Sequence, residues 1–515
     1  MSRVATMLLA GTSLALFICQ PALAQDALPQ AGDSYFTAAE ADLAARLATP
    51  QITGAAKNVI IMVGDGMSIA TNTAARILDG QKRGVDGESN NLALDTFPYV
   101  ALSKTYSHDG QVSDSAPTAT AMVTGVKTRN DVLGVNQTVA VGDCAAALAG
   151  EVTSIFAMAE AAGKATGVIS TARITHATPA ATYSHTPVRD WESDKEISAE
   201  GKAAGCKDIA DQLVNWPEGD GFEVAMGGGR AYFLPAEMKD PEDTEKTGRR
   251  TDTRDLTAEW TAKSNNNVFV FDKAGFDAVD LASGAKVLGL FDMSHMEYEA
   301  DRAKDAAGEP SLAEMTTMAI DRLAQNETGY LLMIEGGRID HAHHAGNAQR
   351  ALEDTLAFDA AVKAVLEKTN REDTLVVVTA DHSHTMTING YPKRGNPIFG
   401  TVVNVDDEVE LAGDGKPYTT LSYANGPGAY FPPVGKDEDK TKAQPAGVRP
   451  DLTDVDTTTI DYLQPATVPM ASETHAGDDV AIYAWGPFAH LFHGTVEENY
   501  IYHVLSHASG LGKKQ

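Results

Sequence analysis

Four short apolar runs, each beside a cluster of polar or glycine-rich residues, constrain the fold of this chain more than any other feature. Three of them lead directly into polar residues: NVIIMV (58–63) precedes GDGM, GYLLMI (329–334) precedes EGGRID, and TLVVVTA (374–380) precedes DHSH. The fourth, VAIYAWG (480–486), follows ETHAGDD. Such runs predict buried parallel strands, with functional loops at their carboxyl ends. Helical patterns such as SLAEMTTMAIDRLAQ lie between the runs, so the order predicts an α/β fold.

Length and composition favour a folded enzyme. The chain has 515 residues, of which 43% are hydrophobic and 22% charged, and it has no repeat or low-complexity tract. Its formal net charge of −30 argues against a specific nucleic acid partner or an anionic membrane surface. An anionic substrate would be repelled at long range, so its binding would require strong local positive charge, which bound metal ions could supply.

The first 24 residues resemble a cleavable secretory signal. They contain one basic residue, Arg3, an apolar middle and a small-x-small end at residues 22–24, as such signals do. A retained membrane anchor is the alternative, but the apolar run is short for a bilayer span. Removal of the signal would leave a periplasmic or secreted chain, 25–515, with Cys144 and Cys206. An oxidising compartment favours one disulfide, although two unpaired thiols remain the alternative.

Two stretches look inserted between the predicted elements. The segment 239–255 is highly charged and is predicted to be a solvated loop. The longer segment, 385–472, is rich in Gly, Pro and Asp and is predicted to be a small irregular subdomain outside the main sheet.

Histidines and carboxylates gather next to the predicted strands. Five of the 14 histidines fall between positions 341 and 384. Asp340 and His344 are four residues apart, so a helix would place both on one face, as metal ligands require. Asp381 and His382 directly follow one predicted strand, and His475 precedes another. Surface histidines on loops would explain any one of these residues but not the whole set.

A serine motif supplies a candidate nucleophile. In SDSAPTATAMVTG (113–125), Ser115 stands at the start of a run of small residues that predicts a helix. Its hydroxyl would then lie near a helix N-terminus, which favours phosphate. Taken alone, Ser115 would more simply be a helix N-cap, but the metal-binding pattern elsewhere favours a nucleophile.

Six motifs in the same order closely resemble the alkaline phosphatase family. They are VGDGM (63–67), DSAPTATA (114–121), THATPA (175–180), EGGRIDHAHH (335–344), TADHSH (379–384) and ETHAGDD (473–479). The resemblance is nearer to the animal-type branch, because His176 and His341 stand where the enterobacterial type carries Asp and Lys. GCKDIA around Cys206 resembles the disulfide segment of that branch, which supports pairing with Cys144. The resemblance implies a three-layer sandwich with a mostly parallel central sheet, plus a small crown-like insertion at 385–472 near a homodimer interface.

The family resemblance also implies three metal sites per subunit. One zinc ion would be held by Asp340, His344 and His475. A second would be held by Asp65, Asp381, His382 and the Ser115 oxygen. A magnesium ion would be held by Asp65, Thr178, Glu335 and waters, as suits a hard cation.

The implied activity is hydrolysis of small phosphate monoesters through a phosphoserine at Ser115, with release of inorganic phosphate. Arg189 in HTPVRDW would clamp two phosphate oxygens with its planar guanidinium, and Asp114 would orient it. A surface salt bridge is the alternative role for Arg189.

A calcium ion is a further implication of the animal-type resemblance. Asp292, the Phe291 carbonyl and Glu309 are its candidate ligands, and an ordinary charged loop is the alternative. Four other functions compete with the phosphatase interpretation. A sulfatase would need an arginine where Ala119 stands, and a phosphodiesterase or mutase of the same superfamily stays open. A metal- or phosphate-binding protein without turnover would leave Ser115 unexplained.

Overall fold

The computed structural model describes residues 28–429 and 449–512. The predicted secretory signal, 1–24, lies outside the described residues. The chain divides into one unit of Met1–Pro50 and a second of Gln51–Gln515. In the described chain, no helix has both the length and the apolar character needed to cross a membrane.

Strands and helices alternate along most of the chain. The strands are β1 (Asn58–Gly64), β2 (Tyr99–Lys104), β3 (Ala165–Arg173), β4 (Val224–Gly228), β5 (Asn267–Val270), β6 (Lys286–Leu290), β7 (Tyr330–Gly336), β8 (Thr374–Thr379), β9 (Ser383–His384), β10 (Met386–Ile388), β11 (Leu421–Gly426), β12 (Ala466–Pro469), β13 (His475–Ala476), β14 (Val480–Trp485) and β15 (Thr495–Glu497). The α-helices are α1 (Ser34–Ala48), α2 (Ile69–Lys82), α3 (Ser115–Thr124), α4 (Cys144–Ala149), α5 (Ile155–Ala161), α6 (Ala177–Ala180), α7 (Ala199–Ala204), α8 (Ile209–Val214), α9 (Leu256–Ala262), α10 (Lys273–Asp277), α11 (Leu312–Leu323), α12 (Arg338–His344), α13 (Ala348–Lys368) and α14 (Tyr500–Ser509).

A ten-stranded sheet organises the second unit. Its strand order is β15-β2-β14-β8-β1-β7-β3-β4-β6-β5. The strand β1 lies between β7 and β8 and is parallel to both, with Val59 opposite Leu331 and Leu375. The strands β3, β4, β6 and β5 continue the parallel arrangement. The predicted α/β fold with a mostly parallel central sheet is confirmed.

One predicted strand direction is wrong. The strand β14 corresponds to the fourth apolar run, but it is antiparallel to both β8 and β2. Tyr483 of β14 lies opposite Val378 of β8, so Val480 at the start of β14 lies beyond the carboxyl end of β8. The residues before β14 therefore reach the same sheet edge as the residues that follow β1, β7 and β8.

Helices cover both faces of the sheet. Successive side chains of β1 point to opposite faces, and both sets are apolar, so each face needs a packing partner. Val59, Ile61 and Val63 belong to one hydrophobic cluster, which includes residues of α3, α5 and α14. Ile60 and Met62 belong to a second cluster, which includes residues of α11 and α13. Each such side chain is buried and contributes about 1.5–3 kcal/mol to stability. The fold is therefore a three-layer sandwich.

The described part of 385–472 carries a separate sheet of β10, β11 and β12. Its Met386, Leu421 and Tyr423 share a hydrophobic cluster with Leu78 of α2 and Leu352 of α13. The segment is thus packed on the main unit through a common core. Its assignment as an inserted subdomain, with boundaries at 385 and 472, stays a prediction.

The charged segment 239–255 is not a solvated loop throughout. Arg250 is fully buried, and its guanidinium donates to both carboxylate oxygens of Asp208, at 2.9 and 3.0 Å, and to Asp252 at 2.6 Å. Asp240 is also buried and accepts hydrogen bonds from Arg230. The prediction failed because bidentate ion pairs with distant residues satisfy these charges inside the protein.

Candidate active site

The predicted site residues meet at one edge of the central sheet. Asp65 directly follows β1, Glu335 lies near the end of β7, and Asp381 follows β8. Ser115 begins α3, and His475 lies shortly before β14. Carboxyl ends of parallel strands form the usual ligand-binding edge of such sheets. The antiparallel direction of β14 brings His475 to this edge from the opposite end of its strand.

Ser115 is the first residue of α3 and is buried. The N-cap is Asp114, whose carboxylate accepts a hydrogen bond from the Ala116 N–H at 2.8 Å, so Ser115 is free of the capping role. Its Oγ lies 3.2 Å from His382 Nε2 and 3.5 Å from Asp65 Oδ1. The hydroxyl therefore faces ligand groups at the positive end of the helix.

The first ligand cluster combines Asp340 with His344 and His475. The Nδ1–H of His475 donates to the Ser113 carbonyl at 2.7 Å, and that of His344 donates to the Glu473 carbonyl at 2.5 Å. Both Nε2 lone pairs then face Asp340 Oδ1, each at 3.3 Å, and the two Nε2 atoms are 3.1 Å apart. Backbone acceptors of this kind fix the tautomer that a metal ion needs.

His384 supports this first cluster and was missed as a site residue in the sequence. Its Nε2 lies 2.7 Å from Asp340 Oδ1 and its Nδ1 lies 2.5 Å from Glu473 Oε2. Burial opposes protonation of His384, but these two hydrogen bonds outweigh burial and raise its pKa to about 9. The HSH spacing in TADHSH was the available signal, because it places two histidines two residues apart after a strand.

Asp65, Asp381 and His382 form a second ligand cluster. Asp381 Oδ1 accepts from the N–H groups of Gly66 and His382, each at 3.0 Å. The Oδ2 atoms of Asp65 and Asp381 are buried and have no hydrogen-bond partner within the described chain. Two carboxylate oxygens left without donors in the interior are an electrostatic cost that a cation would remove.

The third cluster comprises Asp65, His176 and Glu335. Ser170 donates to Glu335 Oε2. Glu335 Oε1, Thr178 Oγ1 and His176 Nδ1 are buried without a hydrogen-bond partner among the described residues. The structure therefore brings together the predicted Asp65 and Glu335, with Thr178 next to Glu335, and adds His176, which was not assigned as a ligand from the sequence.

The raised pKa of Asp65 indicates that this edge of the central sheet favours a positive charge. Burial raises it well above its ordinary value, and Asp381, Asp340 and Glu335 raise it further, while Arg189 opposes them. Such buried carboxylates ionise together when a cation neutralises them. The donor sets, N₂O for the first cluster and mixed oxygen and nitrogen for the other two, fit divalent metals.

Arg189 pairs with Asp114, the N-cap of the helix that Ser115 begins. Its Nη1 donates to Asp114 Oδ1 at 2.8 Å, and its Nη2 donates to His176 Nε2 at 3.0 Å. Burial disfavours its charged form, but Asp114 outweighs burial and keeps the pKa of Arg189 above its ordinary value. The predicted pairing of Arg189 with Asp114 is present.

His341 lies beside His176 but outside the three clusters. The two ring centroids are 5.5 Å apart, and the His295 ring lies 4.0 Å from that of His341. Burial lowers the pKa of His341 to about 3, so this ring is neutral at physiological pH. His295 had no role in the sequence-based prediction.

Acidic side chains also gather near the predicted calcium ligands. Burial raises the pKa of Glu309 to about 9, and Asp305 and Asp292 add to the increase. The pKa of Glu242 is raised to about 7 by burial and by a contact with Asp305. Oxygens of Glu309 and Asp305 are buried without a hydrogen-bond partner in the described part of the chain. Phe291, directly before Asp292, is buried as well.

The two cysteines of the described chain are joined. Cys144, the first residue of α4, and Cys206 form a disulfide with Cα atoms 5.9 Å apart. The predicted pairing is present, and the alternative of two free thiols is not. The bond encloses the segment that contains Thr178 and Arg189.

Comparison with known proteins adds three findings. A family model described as alkaline phosphatase matches residues 56–511. The tissue-nonspecific alkaline phosphatase isozyme of Gallus gallus is 44% identical over 464 residues, which cover 89% of this chain and 85% of the relative. The alkaline phosphatase of Gadus morhua is 42% identical over 466 residues, which cover 89% and 93%. Both are vertebrate enzymes, in keeping with the animal-type resemblance of the sequence.

Solved structures agree at the level of the fold. The alkaline phosphatase of Thermus thermophilus has a TM-score of 0.62 and 24% identity, with coverage of 90% of this chain and 93% of its own. The cold-active alkaline phosphatase of Shewanella sp. has a TM-score of 0.59 and 26% identity, with coverage of 88% and 100%.

Proposed function

Because this chain belongs to the alkaline phosphatase family of phosphoric monoester hydrolases, we propose that it cleaves phosphate monoesters through a phosphoserine at Ser115. The observation that carries the proposal is the position of Ser115 Oγ, which faces His382 and Asp65 at the start of α3, with Arg189 paired to the adjacent Asp114. The Ser115 hydroxyl, the metal-ligand side chains and the Arg189 guanidinium would then surround one position for phosphorus.

The chain's own residues account for the group transfer. Ser115 Oγ would give up its proton and form a bond to phosphorus as the bond to the leaving alcohol oxygen breaks, and that oxygen would take up a proton. Arg189 would donate to two phosphate oxygens and offset their charge. Water would then break the bond between phosphorus and Ser115, releasing inorganic phosphate and restoring the hydroxyl. Zinc ions in the first two clusters would supply Lewis-acid chemistry and make an oxygen nucleophile available at neutral pH.

We infer two zinc ions and one magnesium ion per subunit. Asp340, His344 and His475 would hold the first zinc, because both histidine Nε2 atoms converge on Asp340 Oδ1. The remaining sets follow the predicted assignment: Asp65, Asp381, His382 and Ser115 for the second zinc, and Asp65, Thr178 and Glu335 for magnesium. His176 beside the magnesium set would make zinc a competitor there if its Nε2 bound the ion instead of accepting from Arg189, since imidazole suits zinc better than magnesium. Metal analysis at equimolar zinc and magnesium would decide between them.

Replacement of Ser115 tests the proposal. Ser115→Ala should lower turnover of p-nitrophenyl phosphate by at least about a thousandfold, because covalent attack and metal activation act as one unit. Trapping with labelled phosphate at acid pH should mark Ser115. Ser89→Ala, at an exposed serine, is the control. Near-normal turnover in Ser115→Ala would reject the covalent mechanism, and zinc binding without turnover by the wild type would favour a binding protein. A diester assay alongside would expose a phosphodiesterase.

We propose export to the periplasm or the medium, based on the signal-like residues 1–24. N-terminal sequencing of the mature protein should begin at Gln25. An uncleaved chain recovered with membranes would favour the anchor instead.

A homodimer is proposed from the family resemblance, with the segment 385–472 near its interface. Exposed apolar side chains in this segment support the proposal: Tyr391 is 84% exposed and Val405 79% exposed. Trimming 405–442 should weaken dimerisation, measured by light scattering, and heat resistance. A trimmed protein that stays dimeric and equally heat-stable would remove the interface role.

Calcium binding near Glu309 is also proposed. Its support is the raised pKa of Glu309 beside Asp305 and Asp292, because acidic oxygens at close range favour a hard cation. Calcium should raise the melting temperature of the zinc-loaded wild type but not of Glu309→Gln. Equal responses of the two proteins would mean that these residues form an ordinary acidic loop that does not bind calcium.

A further inference from the structure

The backbone of Asp131 hydrogen-bonds to both members of the Asp114–Arg189 pair, so the three residues form a closed ring of hydrogen bonds. The Asp131 N–H donates to Asp114 Oδ2 at 2.6 Å. The Asp131 carbonyl accepts from the Arg189 N–H at 2.8 Å. Arg189 Nη1 donates to Asp114 Oδ1 at 2.8 Å, which completes the circuit. The backbone of Asp131 therefore contacts both Asp114, the N-cap of α3, and the backbone of Arg189, the proposed phosphate-binding arginine.

This contact depends on an uncommon backbone conformation. Asp131 has a φ of 65°, and in the described chain only three other non-glycine residues share this sign. Asp and Asn tolerate the left-handed region better than most residues, and β-branched residues rarely adopt it. Asn130 steadies the turn from one side, since its N–H donates to Asp109 Oδ1 at 3.0 Å.

The Asp131 side chain adds a charge close to the arginine. Partial burial raises its pKa, Asp114 raises it further, and Arg189 opposes both. Because the Asp131 backbone lies 2.6 Å from Asp114 Oδ2 and 2.8 Å from the Arg189 nitrogen, the carboxylate of the same residue lies within electrostatic range of both members of the pair. A negative charge there would attract the Arg189 guanidinium and repel a phosphate dianion.

We propose that Asp131 is a positioning residue that limits phosphate affinity: its backbone holds Arg189 and Asp114 together, and its carboxylate weakens the binding of phosphate to Arg189. A chain that releases inorganic phosphate gains from such a group, because product leaves more readily. The inference rests on the proposed phosphatase function.

Three variants separate the backbone from the charge. Asp131→Asn and Asp131→Gly both keep the N–H, the carbonyl and a tolerated left-handed conformation while removing the charge. For both, the inhibition constant of inorganic phosphate should fall about two- to fivefold at low ionic strength, as expected for one partly exposed charge. The difference from the wild type should shrink in 1 M NaCl, where the screening length is about 3 Å.

Asp131→Val should act in the opposite direction. Valine resists the left-handed conformation, so the ring should open, the inhibition constant of phosphate should rise and kcat/KM should fall at unchanged zinc content. Opposite signs for Asn and Val cannot come from lost stability alone. If the Val variant fails to fold, the Asn and Gly variants still decide the charge effect.

Asp407 is the matched control. It has the same φ of 65° and pairs with Lys393 in the 385–472 segment. Asp407→Asn and Asp407→Val should leave phosphate inhibition unchanged. An inhibition constant that is unaltered or higher in Asp131→Asn and Asp131→Gly would overturn the inference. A wild-type protein that turns over substrate would in that case still support the phosphatase function, whereas absent turnover would reject that function itself.

Discussion

Glu160 is a buried carboxyl whose charge should change near neutral pH. The residue is 6% exposed, and its Oε1 accepts a hydrogen bond from Thr166 Oγ1 at 2.5 Å. Burial raises its pKa from 4.5 to about 7, Glu223 and Asp220 add to the increase, and Thr166 and Lys286 oppose it. Thr166 lies at the start of β3, at the sheet edge opposite the active site, so the group can be changed without contact with the ligand clusters.

The sign of the effect follows from proton linkage. Between pH 4.5 and about 7, the folded chain binds a proton at Glu160 that the unfolded chain has released, so stability falls as pH rises through this window. Below the window the group is neutral in both states. Above it the folded protein carries the full penalty of a buried charge.

Glu160→Gln removes that penalty while keeping an oxygen for Thr166. A shift from 4.5 to about 7 corresponds to about 3 kcal/mol at about 1.4 kcal/mol per pH unit. Local relaxation and water penetration reduce the measurable effect, so we expect about 1–2 kcal/mol. The variant should be more stable than the wild type by that amount at pH 9 and equal to it within about 0.5 kcal/mol at pH 4.5 or below.

Urea midpoints of proteins with matched metal content would measure the difference, because bound metal alters apparent stability. The control is Glu327→Gln, at an exposed glutamate, which should show no pH-dependent gain. A gain for Glu160→Gln that is the same at both pH values, or that is larger at low pH, would refute the reasoning.

Three further changes have definite expected outcomes. Arg189→Ala should weaken phosphate inhibition and turnover together by about 1.5–3 kcal/mol, since charge-assisted hydrogen bonds are lost; an unchanged inhibition constant would mean that Arg189 is not the clamp. His384→Gln should lower zinc affinity about 10- to 100-fold by releasing Asp340, and competition with a chelator would measure it; an affinity equal to that of the wild type would contradict the supporting role. Joint replacement of Cys144 and Cys206 by serine should lower the free energy of unfolding by about 2–4 kcal/mol; an unchanged urea midpoint would show that the bond constrains little.

The strands that carry the site could be predicted because their signal is local. The strands β1, β7 and β8 are buried along their length, so their apolar runs are continuous in the sequence. Asp65 directly follows β1, and Asp381 and His382 follow β8 after one intervening residue, so chain order alone brings them to one edge. Asp340 and His344 share the helix α12, which their spacing indicated.

Strand direction and ion pairing could not be predicted in the same way. An apolar run such as 480–486 has the same composition in either direction, and only its partners β2 and β8 make it antiparallel. The buried state of Arg250 depends on Asp208, which is 42 residues away in the chain. The ring through Asp131 likewise joins residues that lie far apart in sequence, and a single aspartate in a polar loop gives no local sign of it.

Asp65 explains how an acidic chain can bind an anionic substrate. It belongs to both the second and the third ligand cluster, and its pKa is raised first by burial and then by Asp381, Asp340 and Glu335. A cation in either cluster would favour the ionised form of Asp65 and so strengthen the other cluster, because both share its charge. Occupied together, the clusters would offset the carboxylates at the sheet edge and leave Arg189 to act on phosphate. The net charge of −30 would then affect long-range approach, while the short-range field at Ser115 would be set by the cations in the clusters and by Arg189.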